Sequence, residues 1–241
     1  MTQTEPAKPA LWSAISAALM AEIANGLYRP GDKLPTEAHL AARFGVNRHT
    51  VRHALSTLSK AGTVHARRGS GVYVTALPTE YRLGRRVRFH QNVLAAGQTP
   101  SRRFTRVETC SATALDSDAL RLAAGAAVHL VEGTSLADGQ PLAVFRSVFP
   151  ADRFPGLPEV LAREGSITAA LSACGLADYT RAETRLTAKL ADPVLALALQ
   201  IKPGAPVLRS EAVNVDGAGV PVEHGTTWFS GDRVTLTVAP E

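Results

Sequence analysis

Apolar residues return at helical spacing in three successive segments near the start of the chain. They are Trp12, Ile15, Leu19 and Ile23; then Leu40, Ala41 and Phe44; then Val51, Ala54, Leu55 and Leu58. The first set predicts an amphipathic helix over about 10–25, packed on the two that follow. The second predicts a short helix ending near Phe44, and the third a helix that stops at Ala61-Gly62. The residues between them are capping residues. Thr36 is placed to accept from a free amide at the start of the second helix, with Pro35 holding the segment before it extended. His39 stands where a Glu or Gln would complete a capping box, so the cap is single. Gly45 ends that helix, Val46 plugs the turn, and Asn47 caps the next helix. Residues 63–66 and 72–75 then read as two short strands joined by Arg67-Arg68-Gly69-Ser70-Gly71.

Beyond this region the pattern changes. Residues 1–9 read as a disordered tail, 10–75 as one domain, 76–81 (A-L-P-T-E-Y) as a linker and 82–241 as a second domain. The second domain carries an internal repeat. Gly125-Ala-Ala-Val128 is echoed by Gly204-Ala-Pro-Val207, Asp138-Gly-Gln-Pro141 by Asp216-Gly-Ala-Gly-Val-Pro221, and Phe149-Pro-Ala-Asp-Arg153 by Phe229-Ser-Gly-Asp-Arg233. The offset is 79 residues before the Asp-Gly turn and 80 after it, so one residue is inserted near the second turn. Each copy reads as strand, Asp-Gly hairpin, strand. Two such hairpins predict one mainly antiparallel sheet, with helices over about 90–97, 116–124, 158–163, 166–174 and 192–200 covering one face. The fold class is therefore α+β.

Charge follows the same division. Residues 1–77 hold 9 Lys/Arg against 4 Asp/Glu, and residues 78–241 hold 17 of each sign. The whole basic excess lies in the first third, as a polyanion partner confined to one domain requires. Arg48, His49, Thr50 and Arg52 fall on the first turns of the third helix and face outward. Those are the turns that reach base edges when such a helix lies in a major groove. Arg67 and Arg68 beside flexible Gly69 suit a phosphate track or a minor groove. Cap, turn glycine, second cap and basic hairpin in one stretch predict a winged helix-turn-helix.

The stretch L-P-T-E-x-x-L-A-x-x-F-G-V-x-R-x-T-V-R-x-A-L-x-x-L-x-x-x-G resembles the N-terminal domain of GntR-family bacterial repressors, over Leu11 to about Thr75. The resemblance carries DNA contacts over to Arg48, Thr50, Arg52, Arg68 and Gly69; Thr36, His49 and Arg67 are expected beside them. It also implies a homodimer on a pseudo-palindromic operator, one recognition helix per half-site. One departure is Ala38, where many relatives carry Arg. Residues 82–239 resemble the chorismate-lyase-like (UTRA-type) effector domain of the HutC branch. Within it the chain is most similar to PhnF-type regulators of phosphonate-use operons, through R-R-x-R-F at 85–89, S-I-T-A-A-L at 166–171, D-Y-T-R-A-E-T-R at 178–185 and P-V-E-H-G-T-T-W-F-S-G-D-R at 221–233.

A ligand position follows partly from the repeat. Strand alternation puts Leu142, Val144, Arg146 and Val148 on one face and Val222, His224, Thr226 and Trp228 on the matching face, so Arg146 aligns with Thr226. An arginine in the apolar strand L-A-V-F-R-S-V-F needs an anionic partner: Glu223, Glu183, Glu132 or a bound anion. Ser166 is either a helix cap or, with Thr168, part of an anion site at a helix start. The joint role of Arg181 and Arg185 depends on whether their segment is helix or strand. By resemblance, a small anionic effector (a phosphonate, phosphate or phosphorylated metabolite, or a carboxylate) meets Arg88, Phe89, His90, Arg146, Ser166, Thr168, Arg181, Glu223, Thr226 and Trp228. His90 departs from the Ser or Thr often found there, and its charge would make binding pH-sensitive.

The expected function is a ligand-responsive repressor, of phosphonate uptake or use genes or, within the same branch, one answering a sugar phosphate or carboxylate. The rivals are a chorismate-lyase-like enzyme and an architectural DNA binder without ligand. No nucleophile–base pair, metal-ligand cluster or Walker-type loop supports catalysis, so no catalytic residue, metal or cofactor is expected. Cys110 and Cys174 read as free buried thiols of a cytoplasmic protein. No apolar run is long enough for a membrane span, and the polar N-terminus is not expected to be a secretory leader.

Overall fold

In a computed structural model the described residues are 10–67, 69–75 and 78–238, with the side chain of Arg67 left out. The chain divides into two compact units between residues 77 and 78. The expected tail 1–9 and residues 76 and 77 of the expected linker lie outside the described residues.

The first unit contains α1 (Leu11–Ala24), α2 (Glu37–Phe44), α3 (Arg48–Lys60), β1 (Val64–Arg67) and β2 (Gly71–Val74). Its core is built by the predicted stripes: Ile15 and Leu19 from α1, Leu40 and Ala41 from α2, and Val51, Ala54, Leu55 and Leu58 from α3. Val64 and Val74 of the hairpin close it. Trp12 meets the His53 ring edge-on at 4.6 Å, fixing α1 against α3. Thr36 Oγ1 accepts from the His39 amide at 3.3 Å, and Asn47 Oδ1 accepts from the Thr50 amide at 2.9 Å. Gly45 sits at φ +63°, which lets the chain leave α2 and enter α3 within three residues. β1 and β2 pair antiparallel from Val64 opposite Val74 to Arg67 opposite Gly71.

The second unit runs β3 (Thr79–Leu83), α4 (Phe89–Ala95), β4 (Pro100–Ser111), α5 (Ala114–Leu120), β5 (Ala127–Ala137), β6 (Gln140–Pro150), α6 (Leu157–Glu164) and α7 (Ile167–Ala173). It continues with β7 (Thr180–Leu190), α8 (Pro193–Leu199), β8 (Pro206–Val215), β9 (Pro221–Ser230) and β10 (Val234–Val238). Six strands form one antiparallel sheet in the order β4-β5-β6-β9-β8-β7. The repeat organises it: strand, helix, strand, hairpin, strand occurs twice, and the two final strands, β6 and β9, meet at the centre. The two repeat helices match in detail. Thr113 and Asp192 cap them with their side chains, and each ends in a left-handed residue, Arg121 (φ 55°) and Gln200 (φ 54°). That early end is why α5 stops at Leu120 rather than near 124. Asp138 and Gly139, both at positive φ, close the first hairpin as a tight primed turn.

Three expectations change. Residues 79–81 belong to a strand: Thr79, Tyr81 and Leu83 point inward while β3 pairs in parallel with β10. The helices cover both faces of the sheet. α6 and α7 pack on Val131, Phe145, Phe149 and Val222, and α4 packs beside them on Ala143 and Phe229. α5 packs on Val128, Leu130 and Val148, and α8 against Val144 and Trp228, from the opposite side. Sequence spacing finds such helices but does not choose a face for them. Finally, Leu142 is the extra residue of a bulge between β5 and β6 and joins the cluster of Ala143 and Phe229, away from Val144.

Candidate functional site

The first unit presents α3 and the hairpin as its basic elements. Arg48, His49 and Arg52 are exposed on the first turns of α3, and Thr50 is half-buried. Two of these groups have internal partners. Thr50 Oγ1 lies 2.9 Å from Asn47 Oδ1, reinforcing the cap. The Arg52 guanidinium donates to Glu37 of α2 from Nε at 3.1 Å and Nη2 at 2.7 Å, which holds the Glu37 carboxyl below its ordinary pKa. The pair fastens α2 to α3, so Arg52 is pre-aimed while Arg48 and His49 stay available. Thr36 is occupied as the α2 cap, and Ala38 is exposed beside it. At the hairpin tip Gly69 is at φ +75°. Arg68 and the Arg67 side chain lie outside the described residues.

The second unit holds a cavity of about 70 Å³ on the sheet face covered by α4, α6 and α7. Of the expected ligand residues, Arg88, Phe89, Thr168, Arg181 and Glu223 line it. Ser147 Oγ donates to Glu223 Oε1 at 2.6 Å, and Asn214 Nδ2 donates to Oε2 at 2.6 Å, so the buried carboxylate is fixed by neutral donors alone. Arg181 Nε donates to Asn214 Oδ1 at 3.2 Å. Arg88 lies 3.6 Å over the Tyr179 ring and donates to the Tyr179 carbonyl at 2.8 Å and to Asp178 at 3.3 Å. Tyr179 OH is 3.2 Å from Thr168 Oγ1. Burial raises the Tyr81 and Tyr179 phenols, so both stay neutral donors at the cavity wall.

The residue that sequence reasoning missed is Arg102 on β4. Its guanidinium lies 5.2 Å from the Phe89 ring centre and 4.7 Å from that of Phe145, and its Nε is buried without a hydrogen-bond partner. Among the described residues it makes no ion pair. Burial lowers its pKa below that of a free arginine. Nothing in R-R-F-T-R-V-E marks its first Arg, Arg102, as special; the rings that hold it arrive from α4 and β6.

Arg146, Thr226 and Trp228 are not at this cavity. The predicted alignment of Arg146 with Thr226 holds, with Val144 opposite Trp228 and Val148 opposite His224. That register, however, puts them all on the other sheet face from Phe145, Ser147, Glu223 and Gly225. The partner of Arg146 is Asp116 of α5, none of the glutamates considered: Nη1 donates to Oδ1 at 3.0 Å and Nη2 to Oδ2 at 2.7 Å. Thr113 Oγ1 donates to the same carboxylate at 2.7 Å, and His224 Nδ1 lies 2.8 Å from it. Burial alone would raise Asp116; these bonds outweigh it and hold the carboxyl well below the usual range. Trp228 packs beneath α8.

Further expectations shift. Ser166 caps α7 by accepting from the Ala169 amide at 3.4 Å and does not line the cavity. His90 stands beside Phe89, outside the lining; burial and then the charge of Arg102 lower its pKa, moving its titration to the acid side of the ordinary histidine range. Arg181 and Arg185 fall on opposite faces of β7. Plain alternation would put residues four apart on the same face; a bulge between Arg181 and Glu183 separates them. Cys110 and Cys174 are unpaired and partly exposed rather than buried. No described helix is long and apolar enough to cross a membrane, and no group of three metal-ligating side chains occurs among the described residues.

A winged helix-turn-helix joined to a separate small-molecule cavity defines a one-component transcription regulator. The chain belongs to the GntR family of bacterial regulatory proteins, whose family model matches residues 11–74, and it carries a UTRA domain matching residues 95–235. It is similar to an HTH-type transcriptional regulator of Rhizobium meliloti, 36% identical over 95% of this chain and 94% of that one. It is also similar to the probable transcriptional regulator PhnF of Escherichia coli, 32% identical over 95% of each. Among solved structures, PhnF from Mycobacterium smegmatis superposes with a TM-score of 0.66 at 26% identity, over 94% of this chain and 99% of that one. The chain is a transcriptional regulator of the HutC type within that family, not an enzyme.

Proposed function

We propose that this regulator is a repressor that binds operator DNA as a homodimer and is released by a small anion held in the cavity of the second unit. DNA contact falls to Arg48, His49, Thr50 and Arg52 of α3, with Thr36 at the start of α2 and Arg67, Arg68 and Gly69 in the wing. The observation that carries the anionic effector is Arg102: its Nε is buried without a hydrogen-bond partner at a polar cavity, and among the described residues its guanidinium has no counter-ion, which a bound anion would supply. Arg88, Phe89, Thr168, Arg181 and Glu223 complete the site. Its targets are genes of phosphonate uptake or use. The relatives named PhnF support that reading.

A ligand that releases DNA must bind the released state more tightly; a hundredfold difference is about 2.7 kcal/mol. The test is fluorescence anisotropy of full-length protein on labelled DNA from its own upstream region, in 50 and 200 mM salt. Tight, steeply salt-dependent binding that millimolar alkylphosphonate or phosphate reverses is expected. Equal, weak binding to every oligonucleotide, or release by glucosamine 6-phosphate alone, would overturn the proposal.

A further inference from the structure

The cavity is bipolar. Two buried side-chain nitrogens lack a hydrogen-bond partner among the described residues, the Nε atoms of Arg102 and Arg209. Arg209 has a counter-ion: its Nη2 lies 2.7 Å from Glu211. Among the described residues Arg102 has none, and its guanidinium rests on the faces of Phe89 and Phe145. Across the same cavity Glu223 is buried and accepts only from neutral donors, Ser147 and Asn214. Arg102 and Glu223 feel each other's charge without forming an ion pair. A half-buried cation with an enclosed, unpartnered Nε and a buried anion that line one cavity without forming an ion pair leave each with an unmet requirement. A plain anion would answer Arg102 and repel Glu223. A molecule with an acid group at one end and an ammonium at the other answers both.

We infer that the effector is a short zwitterion whose acid group, a phosphonate or a carboxylate, pairs with Arg102 while its ammonium pairs with Glu223. The inference rests on reading this cavity as the effector site. The remaining polar wall fits the assignment. The neutral hydroxyls of Tyr81, Thr168 and Tyr179 are hydrogen-bond donors for acid oxygens. Arg88 and Arg181, each already bonded to the protein, leave the cavity net positive, which suits a doubly charged phosphonate carrying one ammonium. Glu223 is then the specificity-determining residue: it separates amino acids of this kind from the corresponding plain acids.

The test is isothermal titration calorimetry on the full-length protein with two pairs of isosteres. One pair is 2-aminoethylphosphonate and propylphosphonate; the other is β-alanine and butyrate. A charged hydrogen bond contributes about 1.5–3 kcal/mol, so the ammonium member of the favoured pair should bind roughly 10–100-fold more tightly. Whichever pair binds identifies the acid group. Glu223→Gln should bring that ratio to within about threefold while keeping affinity for the plain acid; Arg102→Met should lose both members. The wild-type ratio needs no variant, so a variant that misfolds does not remove the test. If propylphosphonate binds as tightly as 2-aminoethylphosphonate and releases the operator, the zwitterion is wrong and the anion-released repressor stands. If Glu223→Gln keeps the preference, Glu223 is not the ammonium partner and the inference fails. If none of the four acids binds, the zwitterion falls, and titration of inorganic phosphate on the same protein decides the anion-released repressor: no binding overturns that reading too.

Discussion

Replacing Asp116 with asparagine separates a structural role for the far-face network from a ligand role. The carboxylate is 1% exposed and takes both Nη groups of Arg146, the Thr113 hydroxyl and the His224 ring nitrogen. Asparagine keeps the shape but removes the charge. Arg146, whose side chain is 25% exposed, is then left without its counter-ion. Breaking a pair of this kind costs about 3–5 kcal/mol. For a unit of this size that lowers the melting temperature by on the order of 10 °C. The pH dependence has a definite sign. The folded-state pKa lies below the unfolded value of about 3.9, so the stabilisation is fully present above that value and fades as pH falls through it. Wild type should therefore lose stability below about pH 4, and Asp116→Asn should start lower and change less over the same range. The double variant Asp116→Leu with Arg146→Met should recover much of the loss, because an apolar pair replaces an ion pair at little net cost. The assay is thermal melting by circular dichroism from pH 3 to 8, with operator release measured on the same samples. Effector response should survive in the double variant. Loss of response with unchanged melting in Arg146→Met would refute the assignment of Arg146 to structure.

Further expectations concern the DNA face and two glycines. Arg48→Ala should weaken operator binding by about 1–3 kcal/mol and relax sequence preference, if Arg48 reads a base edge; a phosphate contact would instead reduce the salt slope by about one, so anisotropy at several salt concentrations distinguishes the two. Glu37→Gln frees Arg52 from its partner and should disturb operator affinity with little loss of stability, since the pair is exposed; an unchanged affinity would show that pre-aiming Arg52 is irrelevant. Gly45→Ala should cost roughly 1–2 kcal/mol through its left-handed backbone alone, because its Cβ would meet nothing within 4 Å. Gly133→Ala should cost about 3 kcal/mol and disturb the ring against Arg102, because the new Cβ would stand 2.4 Å from the Arg103 carbonyl and 2.9 Å from Phe145; urea titration measures both.

The helix-turn-helix was readable because everything that makes it is local. Thr36, Gly45 and Asn47 each act within four residues, and the apolar stripes need only the helical period. The repeat was readable for a related reason: a turn written twice at a fixed offset announces the sheet and even the register of Arg146 against Thr226. What failed was the choice of face. Strand alternation says which residues travel together and not which side receives which helix, so Arg146 was placed with a ligand when α5 brings it Asp116. The same limit hid Arg102, whose surroundings come from three separate segments. Bulges were equally silent. Those at Leu142 and between Arg181 and Glu183 each flip a face; Pro141 flanks the first, and the second has no Gly or Pro signature.

The seam between β6 and β9 makes the two halves of the duplicated unit unequal partners. Arg146 faces Thr226 there, its own counterpart in the second half. Were two first halves to assemble with each other in the same register, one guanidinium would stand opposite another, and like charges directly opposite destabilise a sheet. A pair of first halves in this register would therefore carry a repulsion of about 0.2–1 kcal/mol that the β6–β9 seam does not. Expressed as separate fragments, the first half should seek the second rather than itself.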